Sequence, residues 1–257
     1  MRKNEKIRVL HLISGDLWAG AEAQAFVLVS SLFCLPELDL TVILLNEGKL
    51  AEEFREIGVQ VLVIDESAHG FFQVLRLIKK NLKDKNVDIL HSHRYKENVL
   101  GALLKKSGTV RYLVQTVHGL GEPFDGLKML KARLYDLLDL HYTRRYFDKV
   151  QTVSFDIREK LNGKIDPAKL VTIHNSINTA NTTITRSAHE IRSELGIGEN
   201  QPIIGSAGRM VPVKGYDIFL RAAKMILEKR PETKFILAGD GPLLQELTDT
   251  GAYHRRL

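Results

Sequence analysis

One cysteine, Cys34, stands among 257 residues. No internal disulfide can form, and a reducing compartment, the cytoplasm, is the expected setting. No apolar run reaches the ~18 residues that a membrane span needs. Behind the charged start Met1-Arg-Lys-Asn-Glu-Lys6, the run Ile7 to Ile13 carries Arg8 and His11. It lacks the apolar centre and cleavage site of a signal peptide, and it reads as a first strand. No Asp-x-Asp occurs, so a diphosphate bridged to the protein by a metal ion held that way is not supported. No G-x-G-x-x-G occurs either, and Ala21-Glu22 stand where a P-loop would carry Lys-Ser or Lys-Thr. The net charge is +6, with a pI near 9.3. No nucleic-acid motif and no interleaving of aromatic with basic residues accompanies it. The excess therefore points to a solvated surface, an anionic small ligand or an anionic lipid, and away from nucleic acid.

What the chain does contain is regular. With 44% hydrophobic and 26% charged residues it is expected to be globular, with one or two domains. Apolar runs of strand length fall at Val9–Ile13, Leu40–Leu45, Val59–Ile64, Val87–His91, Tyr112–Val117, Lys149–Val153 and Leu170–Ile173. Helical patterns lie between them, at Ala21–Phe33, Phe71–Lys83, Glu97–Lys106, Leu127–Tyr146 and Phe155–Leu161. Such alternation predicts an α/β fold, a parallel sheet covered on both faces. The polar stretch Asn175 to Thr185 interrupts it, Ser187-Ala-His-Glu190 has the form of a capping box, and the alternation restarts at Pro202. The expected organisation is a complete Rossmann-like domain over 1–180, a linker with a short helix over 181–201, and a partial second Rossmann-like domain over 202–257.

Four places could carry chemistry. Strand one runs into Ser14-Gly-Asp-Leu-Trp-Ala-Gly-Ala-Glu22, where two glycines before a helix suit either a phosphate-cradling turn or a plain tight turn. Glu47, at the end of strand two, stands where a ribose-binding acid of a nicotinamide site would lie. His91 and His93 share one face at the end of a strand, and His118 with Gly119 ends the next. His91 is expected to be a satisfied core histidine and His118 a site residue. Zinc is not expected, because no Asp or Cys offers a further ligand at matching spacing. Finally, Arg209 and Lys214 share the glycine turn Gly208 to Gly215, ahead of a helix. A guanidinium and an ammonium there suit a phosphate, and without a metal ion they are the cations that would stabilise a departing diphosphate. The basic helix Leu127–Lys149, with Lys128, Lys131, Arg133, Arg144, Arg145 and Lys149 against Asp136, Asp139 and Asp148, is expected to be an ordinary helix with a solvated face. Peripheral contact with the inner face of a membrane is its alternative.

Taken together, Ala19-Gly-Ala-Glu22, Asp88-Ile-Leu-His-Ser-His93, Thr116-Val-His-Gly119, Val153-Ser154, Ile173-His-Asn-Ser-Ile-Asn178, Gly208-Arg209, Lys214-Gly215 and Gly239-Asp-Gly-Pro242 resemble the GT-B glycosyltransferases of glycosyltransferase family four. The resemblance covers the chain to about Leu247. It implies transfer of a sugar from a nucleotide-sugar donor to a sugar or lipid-linked acceptor with retained configuration, in cell-envelope polysaccharide, lipopolysaccharide or glycolipid synthesis. No cofactor and no metal are implied, since the nucleotide-sugar is a substrate. It implies that the N-terminal domain holds the acceptor and the C-terminal domain the donor. Gly20 would offer its backbone N–H to a phosphate, His118 would touch the transferred sugar, Arg209 and Lys214 would clamp the diphosphate, and Glu22, His93 and Gly119 would meet sugar or acceptor.

Three departures accompany the resemblance. The family's Pro-Asn-Gly-Ile-Asp reads His174-Asn-Ser-Ile-Asn178 here, and its double glycine reads Ala19-Gly20. Its Glu-x7-Glu pair has no counterpart: Glu194, Glu228, Glu232 and Glu246 are followed eight residues on by Pro202, Ile236, Asp240 and His254. On this reading the second domain is cut short, and the chain alone is expected to transfer little sugar and to self-associate. The rival readings are a non-catalytic binding fragment and a nicotinamide-dependent oxidoreductase or epimerase. The missing G-x-G-x-x-G argues against the second of these.

Overall fold

The computed structural model describes residues 6–83, 85–119, 127–177, 179 and 184–250. Asn178, the linker positions 180–183, the side chains of Lys128 and Lys131, and the tail from 251 lie outside the described residues. The chain divides into two compact units, Met1–Thr179 and Ala180–Leu257.

In the first unit, β1 (Ile7–Ile13), β2 (Leu38–Leu44), β3 (Gln60–Val63), β4 (Val87–Ser92), β5 (Val110–Val117), β6 (Lys149–Thr152) and β7 (Leu170–Thr172) form one seven-stranded sheet. Its order is β3-β2-β1-β4-β5-β6-β7, and every pairing is parallel. The crossovers are α1 (Gly20–Phe33), α2 (Lys49–Glu56), α3 (Phe71–Leu82), α4 (Tyr95–Lys106), α5 (Leu127–Tyr146) and α6 (Phe155–Leu161). Period-two alternation sends Leu10 and Leu12 into one core with Ile78, Leu90 and Leu100. It sends Ile13, Val42 and Leu44 into another with Val29, Leu50 and Phe54. Burial on both faces is why these strands read as unbroken apolar runs. The sequence gives no expectation of α2, whose Leu50, Ala51 and Phe54 bury one stripe of an otherwise charged octapeptide.

Strand order reverses between β1 and β4. That is the switch point where an open α/β sheet leaves a crevice outside the carboxyl ends of its strands. The ends of β1, β4 and β5 carry the histidines and the first glycine loop.

In the second unit, α7 (Ala188–Leu195) opens with the capping box expected at Ser187, whose hydroxyl accepts from Glu190 N–H. It ends on Gly196 in the left-handed region, at φ 67°. Then follow β8 (Ile203–Ala207), α8 (Tyr216–Leu227), β9 (Lys234–Ala238) and α9 (Leu244–Thr250), with β8 and β9 paired in parallel. Met210, Tyr216 and Leu247 form a small core, while Ile203, Ile204, Ile218 and Met225 stay exposed. Among the described residues no helix is long and apolar enough to cross a membrane.

Candidate functional site

The β1 and β4 register sets His11 beside His91. His93 lies two residues on and faces the same side. On β5, Thr116 and His118 continue the alternation of Val114, the register partner of His91. Four imidazoles therefore gather on one face at the switch point. His93 Nε2 lies 3.4 Å from His11 Nδ1, and His93 Nδ1 lies 3.0 Å from His118 Nε2. His91 Nε2 lies 2.8 Å from the hydroxyl of Thr116, which itself donates to Gln151 Oε1 at 3.3 Å. The Thr116 oxygen therefore accepts, and His91 carries its proton on Nε2.

Burial disfavours a charged imidazole. It lowers His11 to about 4 and His118, with help from the nearby Arg94 charge, to about 4. It holds His91 and His93 well below the ordinary histidine value, with neighbouring histidines adding to the effect. All four are neutral at pH 7. His91 is the satisfied core histidine expected of it. His93, expected to meet sugar, is instead enclosed, with a ring on either side.

His11 is the member that sequence reasoning missed. With His91 and His93 it makes a group that could hold a metal ion, so the expectation that zinc lacks further ligands overlooked a histidine from another strand. The signal was a polar residue inside the apolar run of β1. The geometry nonetheless disfavours an ion between His11 and His93. Their ring centres lie 5.7 Å apart for a nitrogen separation of 3.4 Å, and those of His93 and His118 lie 5.3 Å apart for 3.0 Å. In both pairs the excess equals the centre-to-nitrogen reach of two imidazoles, so the nitrogens face each other in line. Ligands of one tetrahedral ion at ~2.0–2.1 Å would instead converge on it at an angle.

Glu22, expected to meet sugar or acceptor, is folded inward. Its side chain is 1% exposed and pairs with Arg94, which also holds Asp16 at 3.0 Å. One of its oxygens, Oε2, has no partner among the described residues. Arg94, another residue that sequence reasoning missed, thus ties the first glycine loop to the start of α4. Gly20 begins α1 behind an N-cap, Ala19, that makes no side-chain cap, and a Cβ there would meet nothing within 4 Å. Gly119 is exposed. Glu47 is no ribose acid in waiting, since it forks onto Arg55 at 2.5 and 3.1 Å, eight residues on. Asp139 of α5 accepts from Asn98 at 2.8 Å, and Asp148, between α5 and β6, pairs with Lys105 at 2.6 Å. These two acids are thus engaged by neighbours and are not part of a freely solvated face.

In the second unit the loops after β8 and β9 are laced together. Gly208 N–H donates to Ala238 O at 2.9 Å, Met210 N–H to Asp240 O at 2.8 Å, and Leu243 N–H to Met210 O at 3.1 Å. Arg209 and Lys214 stand exposed on this frame. Neither has an ion-pair partner among the described residues. Gly215, at φ 64°, caps the start of α8. Two unneutralised cations and the positive end of a twelve-residue helix make this turn suited to an anion.

The sequence profile of the family described as Glycosyltransferase Family 4 matches residues 34–181. That of Glycosyl transferases group 1 matches residues 187–251. The UDP-Gal:alpha-D-GlcNAc-diphosphoundecaprenol alpha-1,3-galactosyltransferase of Escherichia coli is 26% identical over 269 residues, covering 95% of this chain and 65% of that protein. HepE of Anabaena, crystallised with UDP and glucose, superposes with a TM-score of 0.74 at 19% identity, covering 95% of this chain and 64% of that one. A UDP-N-acetylglucosamine 2-epimerase also shares the fold, with a TM-score of 0.60 at 14% identity, covering 97% of this chain and 67% of that one. The fold alone therefore does not separate transfer from epimerisation. The chain spans about two thirds of the length of these proteins.

Proposed function

The chain belongs to glycosyltransferase family 4, and from that premise we propose that it acts in the transfer of a sugar from a uridine-diphosphate sugar to a saccharide on a lipid diphosphate, with retention at the anomeric carbon. The donor class is supported by the UDP seen in HepE, and both partners by the E. coli relative's name. Arg209 and Lys214 take the diphosphate and stabilise it as it leaves, so the reading calls for no metal ion. Gly20 offers its N–H to a phosphate, and neutral His118 meets the transferred sugar. Gly119 lies beside the acceptor, and Glu22 and His93 support that wall from within.

The observation that carries this reading is the pair of exposed, unpartnered cations on the laced turn of the second unit. Calorimetric titration of UDP into the full chain tests it. Arg209→Ala and Lys214→Ala are each expected to weaken binding by ~1.5–3 kcal/mol, the scale of a hydrogen bond to a charged group. Unchanged affinity in both variants would sink the assignment, as would an unsubstituted chain that does not bind UDP.

A lipid-linked acceptor asks for contact with a membrane surface. Leu134, Leu137 and Leu138 are exposed on α5 at the spacing of one helix face, with Arg133 beside them, and this favours peripheral binding there. Sedimentation with phosphatidylglycerol vesicles is expected to carry the chain down at low salt and to release Leu134→Ser/Leu137→Ser. Equal sedimentation of chain and variant would remove that face from the reading.

A further inference from the structure

The three rings His11, His93 and His118 form an in-line hydrogen-bonded row. A neutral imidazole carries one N–H and one bare nitrogen, so the row has two head-to-tail arrangements. In one, His11 Nδ1–H donates to His93 Nε2 and His93 Nδ1–H donates to His118 Nε2. His118 is then left with its proton on Nδ1. The other reverses every bond and leaves an N–H on His11 Nε2. Both end atoms, His11 Nε2 and His118 Nδ1, are covered and without a partner among the described residues.

The two ends differ in setting. His11 is fully buried, at 0% exposure, whereas His118 is half-buried at the crevice. An orphaned N–H deep in a core is the rarer defect. The first arrangement puts the bare nitrogen in the core and the N–H on the half-buried ring, at the end of the row nearer the crevice.

We propose that His93, backed by His11, is a positioning residue that fixes His118 as the Nδ1–H tautomer, with its ring held in line and its remaining N–H at the crevice end of the row, the end that an oxygen of a bound sugar would engage. This rests on the sugar-site reading of His118 only for the identity of the acceptor oxygen, because the tautomer itself belongs to the free protein. Burial supports it by keeping every ring of the row neutral, since a charged His93 would donate at both ends and force an N–H onto buried His11 Nε2. Thr116 holds His91 beside the row by the Nε2–H bond already described, and the His91 and His93 rings lie within 16° of parallel, 4.6 Å apart. His93 is thereby kept from turning.

Histidine labelled with 15N in the full chain reads the tautomer of each ring, with the His118 signals identified by their loss in His118→Gln. His118 is expected as a single Nδ1–H form. In His93→Phe, which keeps a flat ring but offers no nitrogen, that single form should give way to a mixture. His93→Asn, whose side-chain amide nitrogen takes the place of Nδ1, should restore it. An Nε2–H form or a mixture in the unsubstituted chain overturns the proposal without any variant having to fold. So does stoichiometric zinc in the purified chain that a chelator removes with a change in the His11 and His93 signals. If His93→Phe scrambles the tautomer while turnover of a UDP-sugar stays the same, the positioning stands and the sugar role of His118 fails.

Discussion

Gly239→Ala is expected to unfold the second unit while leaving the first intact. At φ 151° this residue lies where L side chains rarely go, and an added Cβ would sit 2.0 Å from the carbonyl oxygen of Gly208. Gly241, at φ 154°, is as tightly placed, with Met210 O at 2.5 Å and Met210 N at 2.8 Å from its Cβ position. In both cases the obstacle is backbone. Moving it breaks the bonds that lace the two loops, Gly208 N–H to Ala238 O and Met210 N–H to Asp240 O. No flexible side chain can yield instead. A clash of this kind on a strained φ is expected to cost on the order of 4 kcal/mol or more. The small core around Met210, Tyr216 and Leu247 has little with which to offset that.

Hydrogen exchange should then show β8 and β9 amides exposed in Gly239→Ala, with β1 to β5 protected as before, and UDP binding lost together with the frame that carries Arg209. Gly20→Ala is the control. Nothing lies near its Cβ position, so stability should hold, and any loss of UDP affinity would report a phosphate at that N–H. Stability of Gly239→Ala within ~0.5 kcal/mol of the parent, the scale of an ordinary surface change, would show that the two loops do not pack as described.

Much of this arrangement is legible in the residues, and most of the parts that are not share one cause. The central strands β1, β2 and β4 stand out because burial on both faces makes each a nearly continuous apolar run, and the shorter β3, β6 and β7 stand out by their place between helical patterns. Which strands are neighbours is a long-range fact. His11 joins His91 and His93 because β1 and β4 pair, eighty residues apart in register, and spacing along one strand cannot reveal a ligand or partner on another. Glu22 and Arg94 are likewise separated by 72 residues, so an acid read from its motif as a sugar contact is in fact neutralised from across the crevice. Glu47 fails as a ribose acid for a local reason, since Arg55 on the unanticipated α2 reaches back to it. The glycines after β8 and β9 are legible as close-approach points, although what they approach, each other's loops, appears only once the two strands pair.

The first unit is expected to be most stable near pH 6.5 and to weaken on both sides of it. On the acid side the cause is the histidine row. His11 has a folded value of about 4 against 6.5 for the free side chain. The unfolded chain therefore binds the proton first, and the stability that a neutral His11 contributes is complete above 6.5 and lost as pH falls towards 4. That difference is worth about 3 kcal/mol for a fully buried ring. His118 is lowered to the same value and adds a smaller amount, because it is partly exposed. His91 and His93, held lower still, add in the same direction.

Two acids oppose the row. Burial raises Glu97 from 4.5 to about 7 and Asp139 from 3.8 to about 6, where Asn98 only partly offsets it. For these the folded state keeps the proton, so each destabilises progressively as pH rises from its free value through its folded one. Between 4.5 and 6.5 four bases outweigh two acids and stability climbs with pH. From there to about 7 Glu97 alone still titrates, and stability falls. Both Glu97 oxygens are covered and without partners among the described residues, so Glu97→Gln removes a buried charge at little change of shape. Relative to the parent, the variant should gain about 3 kcal/mol more at about pH 8 than at about pH 4. Urea unfolding monitored on the first unit across this range decides the matter. A flat profile below 6.5 would remove the neutral histidine row, and a Glu97→Gln effect equal at both ends would show that Glu97 titrates in the fold as it does in the unfolded chain.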